Sequence, residues 1–275
     1  EAATDGRVDV QIYPANQLGG TREFTEAVSL GSVEMANTGY DTIGNFAPIA
    51  NVLSMPYLHE DLEHYISVIE SDIGQRIHDR IAEQSDLRVV GVLWRGARQM
   101  MTGDREVRRP EDLSGMRIRA PESNLMAGTV RAMGAQPVPM SWSEVSTALA
   151  TGGVDGVENP LDVLVAGKMH EVQGNISLTN HIFLGNTLLM NETYFQALPE
   201  EIRAAVLEAG KAASDARYES LRRSEAASLE AIRAAGLNVV DDLDLGAFAE
   251  RMPPVWEQFV DGDITQDLID EIRNY

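Results

Sequence analysis

Cysteine is absent from all 275 residues, so disulfides, thiolate nucleophiles and cysteine-zinc sites are excluded. The redox compartment stays open, because cysteine-free chains occur inside and outside cells. Lysine is almost absent: Lys168 and Lys211 stand alone, and the other basic residues are arginine. Basic charge as a whole is scarce, with 22 basic against 43 acidic residues and a formal charge of −21. Nucleic acid and anionic membranes select basic surfaces, so neither is an expected partner. No apolar run approaches the roughly 18 residues needed to span a bilayer, and no secretory leader is visible in the sequence.

What remains is the composition of a globular protein, 44% hydrophobic and large enough for two lobes. Along the chain, apolar strand patterns alternate with helical ones. "RVDVQIYPA" (7–15) alternates like a half-buried strand, and "TREFTEAVSLG" reads as a helix ended by Gly31. "VEMANTGY" is a second strand. Ile66, Ile69, Ile73 and Ile77 recur at helical spacing, and "LRVVGVLW" (87–94) suits a strand covered on both faces. "SWSEVSTALATGG" opens with a capping box, Ser141 and Glu144. Such alternation predicts an α/β fold with a largely parallel sheet. From Pro199 to Gly236 strong helix formers run unbroken, predicting one long helix in which Gly210 is a possible interruption.

Most chemistry-bearing patterns are missing. His59 and His64, with Glu60, Asp61 and Glu63, splay around a helix start and read as solvated rather than metal-binding. "QLGG" and "TGGVDG" lack the glycine order that cradles phosphate. No G-x-S-x-G elbow is present, and the many carboxylates form no focused acid–base pair.

Arginine is the exception. Arg95 and Arg98 follow the apolar strand ending at Trp94, and "MRIRAP" sets Arg117 and Arg119 on one face of a strand stopped by Pro121. In α/β sheets ligands gather outside the carboxyl ends of strands. A guanidinium there holds a carboxylate by paired, charge-assisted hydrogen bonds. Taken alone, such an arginine is more often a surface ion pair.

The longer segment "PVPMSWSEVSTALATGGVDGVENP", preceded by "GMRIRAP" and followed by "SLTNH" and the long helix, is specific. It resembles the DctP-type solute-binding proteins of TRAP (tripartite ATP-independent periplasmic) transporters. "VQIYPANQLGG" and "PYL" extend the resemblance over nearly the whole chain. The family carries a strand and a helix ahead of the "TDGRV" turn, the strand belonging to the first lobe's sheet, and the sequence opens just before that turn.

The resemblance implies a two-lobed α/β fold of the periplasmic-binding-protein type (type II), hinged, with one long helix spanning both lobes. It places residues 1–96 and about 185–222 in the first lobe, and 97–184 and about 223–275 in the second, the helix running over about 199–236. It implies that Arg119 clamps a ligand carboxylate, that Asn159 of "ENP" adds an amide, that Arg98 is a second cation and that Trp142 is an aromatic wall. Tyr40 and Asn186 are weaker candidates, with packing and turn formation as their alternatives; for Arg117 a protein carboxylate or solvent is the expected partner. The implied ligand is a small organic acid, with a hydroxylated one such as a hexuronate or aldonate favoured, a C4-dicarboxylate held partly by Arg98 next, and sialic acid third. The implied partners are the small and large permease subunits, met by a monomer in the periplasm after export, and no cofactor is needed. A competing reading is an enzyme in which Arg119 orients the acid and Glu158, its pKa raised by burial, abstracts a proton.

Overall fold

The computed structural model describes residues 4–275. Among them are eight strands: β1 (Met35–Gly39), β2 (Leu87–Thr102), β3 (Arg117–Ala120), β4 (Gln136–Pro139), β5 (Gly156–Pro160), β6 (Asn175–Ser177), β7 (Phe183–Asn191) and β8 (Asn238–Val240). They run in the order β1-β7-β2-β5-β3-β4, with β6 pairing β2 and β8. Strand β2 organises the molecule. Its sixteen residues pair with β7 over Leu87–Ala97 and with β5 over Arg98–Thr102, so one strand serves two lobes.

Each lobe has its own core. Val28, Ile43, Tyr65, Ile77 and Trp94 belong to the first. The second has two clusters, one around Met116, Ile118 and Leu125 and one around Met101, Val145 and Val157. The C-terminal helix, Gln266–Arg273, returns to the first lobe, where Ile269 and Ile272 enter its core and His64 Nε2 meets the Ile272 carbonyl at 2.9 Å. Residues 223–275 therefore do not all pack on the second lobe: an isoleucine stripe at i, i+3 finds its apolar partner across the molecule.

Two other expectations need correction. The sheet is mixed rather than largely parallel, because β1, β2 and β7 pair antiparallel, as does β2 with β5 and β6. Parallel pairing is confined to β3 with β4 and β5, and β6 with β8. Chains that cross between lobes in opposite directions, as β2 and β7 do, meet antiparallel. "RVDVQIYPA" forms no strand; Val10 and Ile12 are 56% and 82% exposed. Alternation alone does not make a strand where no neighbouring strand, among the described residues, completes its ladder.

The long helix spans Glu200–Ala234, about 52 Å at 1.5 Å per residue. It passes through Gly210 without a break, and that glycine is a contact point. A Cβ on Gly210 would fall 1.7 Å from the Val90 carbonyl, and one on Gly91 would fall 2.7 Å from the Gly210 carbonyl, so helix and strand touch backbone to backbone. The register of β2 shifts between Val89 and Gly91 and again between Trp94 and Gly96. Helix side chains take up backbone groups beside those shifts: Val92 N–H donates to Ser214 Oγ at 3.0 Å, and Arg217 Nε donates to the Trp94 carbonyl at 2.6 Å. Buried backbone groups need such partners, so the helix is fastened where β2 bends toward the second lobe.

Candidate ligand-binding site

Strand β3 lies between β4 and β5, both parallel to it. Its alternation sends Met116 and Ile118 into the second lobe's core, leaving Arg117 and Arg119 to the other side. The two arginines then part. Arg117 Nη2 donates to Asp155 Oδ1 at 2.7 Å and to the Gly152 carbonyl at 2.8 Å, half-exposed at the strand start. Arg119 is 4% exposed, its Nη2 and Nε donating to the Met140 carbonyl at 2.8 and 3.2 Å. Its guanidinium lies 5.5 Å from the Trp142 ring centroid, a cation–π distance. No carboxylate among the described residues pairs with it. Burial pulls its pKa down to about 10, against the opposing pull of Glu158, so it stays cationic at neutral pH.

Arg98 is as buried as Arg119, at 3%, and has an anion built in. Across the β2–β5 ladder Arg98 stands opposite Pro160 and Met100 opposite Glu158, which makes Arg98 and Glu158 diagonal neighbours. Arg98 Nη2 donates to Glu158 Oε1 at 2.7 Å, and Nε donates to Oε2 in a closer contact. His181 Nε2 is 3.1 Å from Glu158 Oε2, and Thr179 Oγ1 is 2.8 Å from His181 Nδ1. Burial alone would raise the Glu158 pKa; the Arg98 charge and hydrogen bonds win and hold it down to about 2.

Between the lobes lies a cavity of about 440 Å³, within the range of small-molecule sites. The second lobe contributes Arg119, Met140, Ser141 and Trp142, with Asn159 from β5. Trp142 is the first residue of the helix Trp142–Ala150, whose start is fixed by Glu144 Oε2 accepting from Ser141 N–H at 3.1 Å. The first lobe contributes Asn37, Thr38, Asp41 and Thr42 from the end of β1 and the short helix after it, and Asn186 from β7. Asn186 Nδ2 donates to Asn37 Oδ1 at 3.0 Å. Arg95 and Arg98 enter from β2. Strand ends from both lobes thus converge on one space, as ligand crevices of α/β sheets do.

The comparisons with known proteins agree over nearly the whole chain. The family model described as bacterial extracellular solute-binding protein, family 7 (DctP) matches residues 1–263. The chain belongs to this family. It is 30% identical over 272 residues to the sialic acid-binding periplasmic protein SiaP of Vibrio cholerae, covering 99% of this chain and 84% of that one. Its fold matches a TRAP periplasmic solute-binding protein of Roseobacter denitrificans with bound β-D-glucuronate at a TM-score of 0.95, with 31% identity over 99% of this chain and 90% of that one. A second R. denitrificans protein of this kind, with bound L-galactonate, matches at 0.91, with 31% identity over 98% and 89%.

Within this TRAP solute-binding fold, the structure brings five of the six candidate residues to the cavity: Arg119, Asn159, Arg98, Trp142 and Asn186. Tyr40 is not among them. It is wholly buried in the first lobe's core, its hydroxyl 2.7 Å from His78 Nε2 and the two rings stacked. The short helix starts at Tyr40 and turns about 100° per residue, so Tyr40 packs inward while Asp41 and Thr42 reach the cavity. Asn37, Thr38, Asp41 and Thr42 escaped the sequence reading, although a polar cluster just past an apolar strand is the signal that marks them. Glu158 is no raised-pKa base: its pKa is depressed, and its carboxylate is occupied by Arg98 and His181. The relatives are solute-binding transport proteins.

Proposed function

We propose that this solute-binding protein captures a small organic acid of the sugar-acid class, clamping its carboxylate on Arg119 and delivering it in the periplasm to the small and large membrane subunits of a TRAP permease. One observation carries the reading: Arg119 is a buried cation on the cavity wall with no protein carboxylate of its own. A buried charge without a counter-ion is costly, and a ligand carboxylate relieves that cost. Asn159 stands beside it as an amide that both donates and accepts, and Trp142 supplies a rigid apolar face. The glucuronate and galactonate held by the two R. denitrificans proteins support the sugar-acid class. A C4-dicarboxylate is less well served, because Arg98, the cation it would need at its far end, already holds Glu158.

In this reading the first lobe is built on residues 4–96, β7 and the C-terminal helix, and the second on β3, β4, β5, β6 and β8. They hinge where β2 changes partners at Ala97–Arg98 and where the chain runs from β6 to β7, with the long helix as the common strut. No cofactor is needed, and a monomer suffices.

The experiment is a thermal-shift panel of hexuronates, aldonates, C4-dicarboxylates, sialic acid and keto acids, repeated on Arg119→Ala. A ligand at a hundred times its Kd adds about 2.7 kcal/mol of stability, a shift of several degrees. One acid class should shift wild type and leave Arg119→Ala unmoved. A sugar acid that stabilises both equally would remove the clamp from Arg119. NMR of the same mixtures should show each acid unconverted; turnover would point to an enzyme instead.

A further inference from the structure

The cavity holds a second buried ionisable group without a counter-ion among the described residues, an acid this time. Asp41 is 6% exposed, lines the cavity from the first lobe and, among the described residues, is in no ion pair. Its carboxylate folds back over Gly39, where a Cβ would meet Asp41 Oδ1 at 2.3 Å, and no side chain among the described residues pairs with it. The charged groups around it are Arg98, Glu158 and Arg119, and Arg98 is committed to Glu158. Burial raises the pKa of Asp41, Arg98 and Arg119 pull it down, and Glu158 adds to the rise. On the same wall the Thr38 hydroxyl is buried with no hydrogen-bond partner. The first lobe therefore offers a carboxyl and a hydroxyl where the second offers a cation.

We propose that Asp41 is a specificity-determining residue, accepting hydrogen bonds from ligand hydroxyls and rejecting a second ligand carboxylate, so that the site takes polyhydroxylated monocarboxylates and refuses dicarboxylates. This rests on the carboxylate clamp at Arg119. The ligand then lies with its acid end in the second lobe and its hydroxyl-bearing carbons against Asp41 and Thr38. A buried site built to accept from a hydroxyl discriminates strongly against an analogue lacking it, because the acceptor is left unpaired. A dicarboxylate would set its far carboxylate against Asp41, giving the buried acid no hydroxyl to accept from, and wherever Asp41 is ionised the two like charges repel.

The test is titration calorimetry on the full chain with D-galacturonate, D-glucuronate, L-galactonate, succinate, L-malate and ectoine, the last a zwitterion that could answer Asp41 with positive charge. Wild type, Asp41→Asn, Asp41→Ala and Arg119→Ala are compared, with melting curves to confirm that each variant folds. Asp41→Asn keeps the size of the side chain and so guards against loss of fold. Wild type should bind at least one sugar acid at least a hundredfold tighter than succinate. Asp41→Ala should lose tenfold or more for that sugar acid, and Asp41→Asn should narrow the gap to succinate and malate by tenfold or more. Sugar-acid affinity within threefold of wild type in both Asp41 variants overturns the assignment, as does tighter wild-type binding of a dicarboxylate or of ectoine. The two readings separate cleanly. If Arg119→Ala abolishes sugar-acid binding while the Asp41 variants keep it, the clamp stands and the Asp41 assignment falls. If wild type binds none of the acids, or Arg119→Ala binds as wild type does, both fall.

Discussion

Two buried arginines, one strand apart, have opposite electrostatic surroundings. Arg98 sits against Glu158, which His181 also meets, in a network closed within the protein. Arg119 leans on a backbone carbonyl and an indole face and has no anion. The first arrangement is structural: a matched buried pair whose separation would strand a charge. The second is incomplete by itself, and completeness is what a ligand carboxylate would supply. The difference teaches that burial of a cation says little about its role until its counter-ion is found. Of these two cavity arginines, the proposed function assigns the ligand to the one without a counter-ion.

The hardest way to break this comparison is to take the anion from Arg98. Glu158→Ala leaves a guanidinium buried and unpaired and should cost about 3–5 kcal/mol of folding stability, read by urea unfolding at neutral pH. A loss below about 1 kcal/mol would mean that water or another acid already serves Arg98. Arg119→Ala should behave in reverse. It removes a charge that has no counter-ion, so the unliganded protein should melt close to wild type, the lost bonds to the Met140 carbonyl being offset by relief of the buried charge. Affinity for its acid should fall by more than a hundredfold, about 3 kcal/mol. If Arg119→Ala instead strongly destabilises the protein while the folded fraction binds with affinity intact, the roles of the two arginines are exchanged.

The part of this site readable from sequence was the part held by local chemistry. "MRIRAP" shows a strand with two arginines on one face, and "SWSE" shows the capping box that puts Trp142 at a helix start. Neither needs a distant residue to be recognised. What was not legible was pairing across long stretches of chain. Arg98 and Glu158 are sixty residues apart and meet because β2 pairs antiparallel with β5, a register no local pattern announces. Tyr40 shows a subtler limit. The strand leading to Tyr40 is legible, yet one residue along the helix that follows rotates the side chain by about 100°, enough to exchange a core tyrosine for a cavity aspartate. The long helix was legible from its formers, but the reason for Gly210 was not, because it lies in the backbone of Val90 on another element.

The same pair gives a pH signature. The pKa of Glu158 is depressed in the folded state, from the usual 4.5 to about 2. A depressed carboxylate contributes stability that is fully present above its unfolded pKa and is lost as pH falls through the folded value. The window is therefore between about pH 4.5 and 2, and by pH 3 roughly 2 kcal/mol of the contribution should be gone. Other carboxylates titrate there too, so the readout is the stability difference between wild type and Glu158→Gln, which should shrink between pH 7 and pH 3. A difference that stays constant would mean that Glu158 has an ordinary pKa and that Arg98 is not its close partner.

Arg117 sharpens the contrast from the other side, because it shares a strand face with Arg119 and differs in having an anion. Its pair with Asp155 is half-exposed, and exposed ion pairs contribute little. Asp155 also accepts from the Arg117 backbone N–H at 2.7 Å, a bond that survives loss of the side chain, so the start of β3 keeps its anchor in Arg117→Ala. The melting curve of that variant should overlay wild type, and its Kd for the acid that Arg119 holds should stay within threefold. A tenfold loss of affinity would show that charge anywhere along this strand steers the ligand, and the two arginines would have to be treated as one field rather than as a clamp and a bystander.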